Sequence, residues 1–168
     1  FLDITGRNDW SSTLPRKNRS FFYPSVSLSG VLNSMMKMPK WVNLLKVRAS
    51  WAQVGNDTQP YKTSPYYTTS DFSGSLVKPG TLYNADFKPE MSTNWEGGLD
   101  FKAFGSRLGL DVTYYYNRTK NQILNAPFDP TTGYTKGTIN SGCVSNRGVE
   151  IVLRGTPIRN RDWQWDMT

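Results

Sequence analysis

Histidine is absent from this 168-residue chain, and cysteine occurs once, at Cys143. Without imidazole there is no His-dependent nucleophilic triad, no histidine metal ligand and none of the usual general bases with a pKa near neutrality. One thiol cannot close an internal disulfide, and among the loop residues around it Cys143 reads as a small side chain rather than a nucleophile. No apolar run approaches the roughly 18 residues of a membrane helix, and the N-terminus lacks the charged-then-apolar plan of a signal peptide. The mean hydropathy is −0.56. Helical spans are thereby excluded but strands are not, because a transmembrane strand needs only about 9–11 alternating residues, a signal that averages cancel. The chain starts at Phe1 without an initiator methionine and stops at Thr168 inside an alternating run, so it reads as a fragment.

The net charge of +7 invites a nucleic-acid reading. The cations are scattered, however, over loops (Arg16, Lys17, Arg19; Lys37, Lys40; Arg159, Arg161) and polar strand faces, with no basic helix and no RNA-binding aromatic motif. No nucleic-acid partner is expected, and the reading requires no cofactor, metal ligand or catalytic residue.

What the chain has is alternation. In residues 95–119, Trp95, Gly97, Leu99, Phe101 and Ala103 share one face, and Glu96, Gly98, Asp100 and Lys102 the other. After Gly105-Ser106 the pattern resumes with Leu108, Leu110, Val112, Tyr114 and Tyr116 against Arg107, Gly109, Asp111, Thr113 and Tyr115. Period-two alternation on both sides of a Gly-X pair predicts a hairpin with a two-residue II′-type loop. That loop sets Phe101 opposite Leu110, Gly97 opposite Tyr114 and Asp100 opposite Asp111. Like charges facing each other are unfavourable, so a cation is expected beside them: Lys102, Arg48 or Arg154.

Further strands are expected at residues 1–9, 21–32, 42–55, 147–156 and from Asp162 onward, with Pro24 at a strand start or an unpaired edge position. The connector 33–41 holds one helical turn at most, since Pro39 limits it. Connections alternate in length: 10–20 long, 33–41 short, 56–93 long, 105–106 short, 120–146 long, 157–161 short. An up-and-down meander places every long one at the same end, as in outer-membrane barrels. Trp41, Trp163 and Trp165 then mark a lower rim, Trp51, Trp95, Tyr114 and Tyr116 an upper one, with aliphatics between them. The fold class expected is all-β: an antiparallel up-and-down meander of about seven strands from a large transmembrane β-barrel. The competing architecture is a soluble β-sandwich, carbohydrate-binding or glycosidase-like, with Asp100 and Asp111 as paired carboxylates.

Several stretches carry a family resemblance: FFYPSVSLSGVL followed by LLKVRASWAQVGN, then NADFKPEMSTNWEGGLDFKAFGSRLGLDVTYYYNRTKNQIL, NSGCVSNRGVEIVLRG and TPIRNRDWQW. In that order they resemble SusC/RagA-type TonB-dependent outer-membrane transporters of Bacteroidetes. The resemblance implies that residues 1–168 are part of a barrel domain of about 22 strands, whose plug domain and remaining strands lie outside the chain. It further implies TonB as energy source, a SusD-like surface lipoprotein as lid, and an oligosaccharide or peptide as substrate, in a bacterial outer membrane. The family's contact residues form no fixed motif, so none is carried over. From the residues themselves, Tyr61, Tyr66, Tyr67, Tyr83 and Tyr134 in the two longest loops are candidate ligand or lid contacts, with packing inside the loops as the alternative. Asp100, Lys102 and Asp111 form a candidate lumen charge cluster.

Overall fold

The computed structural model describes residues 1–168. It contains seven main strands: β1 (Leu2–Trp10), β2 (Ser20–Val31), β3 (Val42–Asn56), β4 (Glu90–Ala103), β5 (Leu108–Lys120), β6 (Cys143–Arg159) and β7 (Gln164–Met167). They form one antiparallel sheet in chain order, the expected meander. A single helical turn, α1 (Leu32–Met35), joins β2 to β3. The remaining short strands lie in the long connections: Thr81–Leu82, Lys136–Asn140 and Ile123–Pro127 make one small sheet, Thr68–Thr69 and Leu76–Val77 another.

Register shows how the two faces are built. Leu2, Leu28, Ala49, Gly97, Tyr114 and Val149 make a continuous row across six strands. Two residues lower, Gly30, Val47, Leu99, Val112 and Ile151 make another. Nothing covers this face: Leu28 is 57%, Ile151 65% and Leu153 59% exposed. No second sheet of comparable extent packs on it, so the sandwich alternative fails. In a lipid bilayer these rows gain the apolar surroundings that a soluble fold would have to supply from a facing layer.

Aromatic side chains close the apolar band at both ends. At the upper end Trp51 and Trp95 are cross-strand partners with ring centroids 6.0 Å apart. At the lower end Trp41 stacks on Phe104 at 5.6 Å and meets Phe101 edge-on at 6.2 Å. From the Ala103 row to the Trp95 row is about 27 Å along the strand, or roughly 20 Å at a barrel tilt near 40°, close to the height of a transmembrane apolar band.

The β4–β5 hairpin has the expected register, including Phe101 with Leu110 and Asp100 with Asp111. Its turn type differs. Gly105 and Ser106 both have positive φ, at 67° and 64°, which is the I′ rather than the II′ pattern, and Phe104 is also left-handed at 55°. Both types leave two residues in the loop, so the pairing is unaffected.

Pro24 lies inside β2, opposite Gly6 and one residue before the ladder to β3 begins at Ser25. Its missing N–H therefore falls where no β3 partner waits. β6 is longer than the expected 147–156. It starts at Cys143, because β5 extends to Lys120 and offers a partner there, and it runs to Arg159 through a bulge between Gly155 and Ile158 that accommodates Pro157. Cys143 is accordingly a strand residue, not a loop residue.

Candidate functional site

The inner face of the same strands is polar. Ser25, Ala52, Asn94, Asn117 and Asn146 lie in one row, Ser27, Ser50, Glu96, Tyr115 and Gly148 in the next. Below them come Ser29, Arg48, Gly98, Thr113 and Glu150, and then Val31, Lys46, Asp100, Asp111 and Val152.

Arg48 organises this wall. Its guanidinium crosses β4 at Gly98, where a Cβ would run into the arginine side chain, and reaches β5. There Nη2 donates to Asp111 Oδ1 at 2.9 Å and to Thr113 Oγ1 at 2.6 Å, while Nη1 lies 3.6 Å from Asp100 Oδ2. Glu96 is 3.8 Å from Nε, and Thr113 Oγ1 itself donates to Asp111 Oδ1 at 3.2 Å. The facing pair Asp100 and Asp111 thus shares one cation, supplied by Arg48. Lys102 and Arg154 stand on the same face lower down, joined through Gly109, and neither makes an ion pair with the two aspartates. Lys102 therefore leaves the expected cluster: it is displaced two residues along the strand, and Arg48 already occupies the space between the carboxylates.

Above the arginine the wall is concave. A groove of about 640 Å³ is lined by Arg48, Ser50, Glu96, Thr113, Tyr115, Glu150 and the asparagines 94, 117 and 146. Tyr115 leaves space in it by lying over Gly148, where a Cβ would come within 2.6 Å of the phenol oxygen. Amides, hydroxyls and carboxylates in register can hydrogen-bond sugar hydroxyls or a peptide backbone. Gly98, Glu96, Glu150 and the asparagine row were not singled out from the sequence. The available signal was their shared parity on neighbouring strands, which needs the inter-strand register to be read.

At the same end of the sheet the three long connections interlock. Asp57 accepts hydrogen bonds from Ser11 and, at 3.1 Å, from Thr13; Lys17 pairs with Asp86; Asn18 Nδ2 donates to the Phe87 carbonyl at 2.7 Å. Asn140 accepts from Lys88 N and donates back to Lys88 O, each at 2.9 Å, and the Thr135 N–H donates to Gly80 O at 2.8 Å. Leu14 and Phe87 are almost wholly buried within this assembly, and Thr138 is buried with its hydroxyl 2.9 Å from Asn125 Oδ1. A buried aromatic with satisfied polar neighbours makes the loops a platform and not a set of independent tethers.

The five tyrosines divide on this platform. Tyr66 and Tyr83 stack at 6.1 Å, and burial followed by the neighbouring Tyr66 phenol pushes the Tyr83 pKa up. Tyr134 is covered by Lys78, whose Nζ is 4.0 Å from the ring centroid. Tyr61 and Tyr67 are open, at 80% and 59% exposure, and Tyr61 has a φ of 64°. Tyr61 and Tyr66 border one concavity of about 490 Å³ with Ser12 and Thr13. Tyr83 and Tyr134 are thus engaged within the loops, whereas Tyr61, Tyr66 and Tyr67 present ring faces or edges outward. Near Tyr134 the Asp129 carboxylate caps the turn Pro130–Thr132, accepting from Thr131 N at 2.9 Å and Oγ1 at 2.8 Å, which holds its pKa below the ordinary carboxylate value.

Over residues 1–168 the sequence matches the family described as "TonB dependent receptor-like, beta-barrel". It is 30% identical over 164 residues to TonB-dependent receptor P39 of Formosa agariphila, covering 95% of this chain and 16% of that protein. Against TonB-dependent receptor SusC of Bacteroides thetaiotaomicron the identity is 25% over 178 residues, covering 98% and 18%. Among solved structures it is similar to the RagAB peptide transporter, with a TM-score of 0.88 at 27% identity over 97% of this chain and 18% of that one. The siderophore receptor PirA of Pseudomonas aeruginosa shares the fold, with a TM-score of 0.56 at 19% identity over 90% of this chain and 28% of that one. The chain spans less than a fifth of the length of the curated relatives it matches.

Proposed function

Because the chain belongs to the TonB-dependent receptor β-barrel family, whose members are outer-membrane transporters and not enzymes, we propose that it is a wall segment of an importer for oligosaccharides or peptides. A SusD-like surface lipoprotein covers its loop platform, and TonB energises uptake through parts of the parent protein outside these residues. One observation carries the reading: a polar groove on the inner face lies toward the strand ends joined by the long connections, whose platform leaves Tyr61, Tyr66 and Tyr67 exposed. Ligand meets the tyrosines and the lid first, then passes the asparagine row and the Arg48 network as the lumen clears. Asp100, Lys102 and Asp111 act in this scheme as part of the lumen's charge pattern, with Arg48 between the two aspartates and Lys102 in the basic row below.

The test uses the complete parent protein on whole cells. In a Cys143→Ser background, which removes the native exposed thiol, cysteines at Ser73 and Thr132 are expected to react with an impermeant maleimide, and one at Ser106 is not. Labelling at Ser106 alone reverses the topology and removes the reading. The same cells, given fluorescent oligosaccharides and fluorescent peptides in parallel, are expected to accumulate one class only while TonB is present. Accumulation of neither class counts against transport of this kind.

A further inference from the structure

The outward face carries one strongly charged patch that the transport reading does not use. Arg147 is the cross-strand partner of Tyr116, and Arg118 is the partner of Ser145, so the two arginines are diagonal neighbours about 7–8 Å apart on one face. Lys120, the partner of Cys143, follows Arg118 two residues up the strand. All three share the parity of the outward row Tyr114, Val149, Val112 and Ile151, and all three are exposed. None makes an ion pair: the cations paired with carboxylates in this chain are Arg7, Lys17 and Arg48. The Arg118 Nε donates to Cys143 Sγ at 2.9 Å, which fixes the plane of the guanidinium and leaves both terminal nitrogens without a protein acceptor.

The position of the patch suggests its partner. It begins in the row that holds Trp51, Trp95 and Tyr116 and continues above it, so the cations stand at the level of lipid headgroups just outside the apolar band. On the strands that precede β5 in the sheet, the same outward levels hold Trp95, Thr93 and Met91 on β4, Trp51, Gln53 and Gly55 on β3 and Val26 on β2, none of them charged. Basic residues that merely kept the barrel in register with the membrane would be spread around its circumference. Three confined to β5 and β6, without a counter-charge, instead form a local anion site for a multivalent headgroup.

We propose that Arg118, Lys120 and Arg147 bind the phosphate groups of an outer-leaflet glycolipid, holding one lipid against the β5–β6 surface. This rests on the topology proposed above, with the long loops outside the cell. The experiment uses the complete parent protein in phosphatidylcholine nanodiscs, titrated with fluorescent lipid A and with the same lipid A stripped of its phosphates. The triple variant Arg118→Gln, Lys120→Gln, Arg147→Gln is expected to lose about 10-fold or more in affinity for the phosphorylated lipid. A control of equal charge loss, Arg16→Gln, Lys37→Gln, Lys40→Gln, is expected to change it less than about two-fold, and the stripped lipid should bind weakly to every form. Equal binding of the two lipids, an equal fall in the control, or displacement by equimolar inorganic phosphate would each overturn the proposal. If the triple variant does not reach the folded, heat-modifiable form, Lys120→Gln alone at the strand end carries the comparison, with about a three-fold loss expected and no loss counting against the proposal. Maleimide labelling at Ser73 with unchanged lipid binding in the variant defeats this proposal only, whereas labelling at Ser106 alone defeats the topology beneath it.

Discussion

Replacing Arg48 by Met in the complete parent protein removes the only cation within 4 Å of Asp100 and Asp111 while keeping most of the aliphatic volume over Gly98. Two carboxylates about 5 Å apart repel by roughly 3 kcal/mol at an effective dielectric constant near 20. The three side chains are 31%, 28% and 34% exposed, so solvent screens much of that repulsion, and a net loss of about 1–2 kcal/mol is expected. The assay is urea unfolding of the barrel in phosphatidylcholine bilayers, run on Arg48→Met alone and on Arg48→Met in an Asp100→Asn, Asp111→Asn background. With both carboxylates neutralised, the arginine has little left to compensate, and its removal should cost close to nothing. An equal cost in both backgrounds would show that the guanidinium packs against the wall without relieving the repulsion, and the account of the charge network would be wrong. Gly98→Ala offers a second route to the same state, since the added methyl displaces the arginine from its path across β4.

Two further outcomes follow from the two faces and the loops. Leu110→Arg, in the middle of the outward band, should destabilise the barrel by about 2–4 kcal/mol in bilayer refolding titrations, whereas Asn117→Arg, opening into the lumenal groove, should cost far less; equal losses would contradict the face assignment. Phe87→Ala should loosen the loop platform, whose packing centre it removes at about 3–5 kcal/mol, so that limited proteolysis cuts within 57–89 while the strands keep their heat-modifiable fold; unchanged protease resistance would show that the loops are held by their hydrogen bonds alone.

The alternation in residues 95–119 was enough to determine the hairpin, its register and the confrontation of Asp100 with Asp111, because side-chain parity and a two-residue turn leave no freedom in the pairing. The same logic located the seven strands and the alternation of long and short connections, and it placed Trp51 and Trp95 at one rim and Trp41 at the other, while Trp163 falls in the turn before β7. The turn subtype escaped, since I′ and II′ loops have the same length and differ only in backbone dihedrals that Gly-Ser does not dictate. The extra residues at both ends of β6 escaped as well: Cys143–Asn146 has no alternation of its own and is extended only because β5 supplies a partner. Which cation serves the aspartates was a tertiary decision. Lys102, Arg48 and Arg154 all had the right parity, and the choice depended on β3 lying beside β4 with a glycine at the crossing point. The division of the tyrosines and the interlocking of loops 11–19, 57–89 and 121–142 were likewise invisible in one dimension. Their contacts join residues tens of positions apart with no periodicity to announce them, so only the side-by-side arrangement of the strands beneath brings Phe87, Leu14 and Asn140 to their partners. Local pattern determines a strand because its neighbours along the chain set its faces; a loop platform has no such repeat, and its structure exists only once the barrel wall has placed its ends.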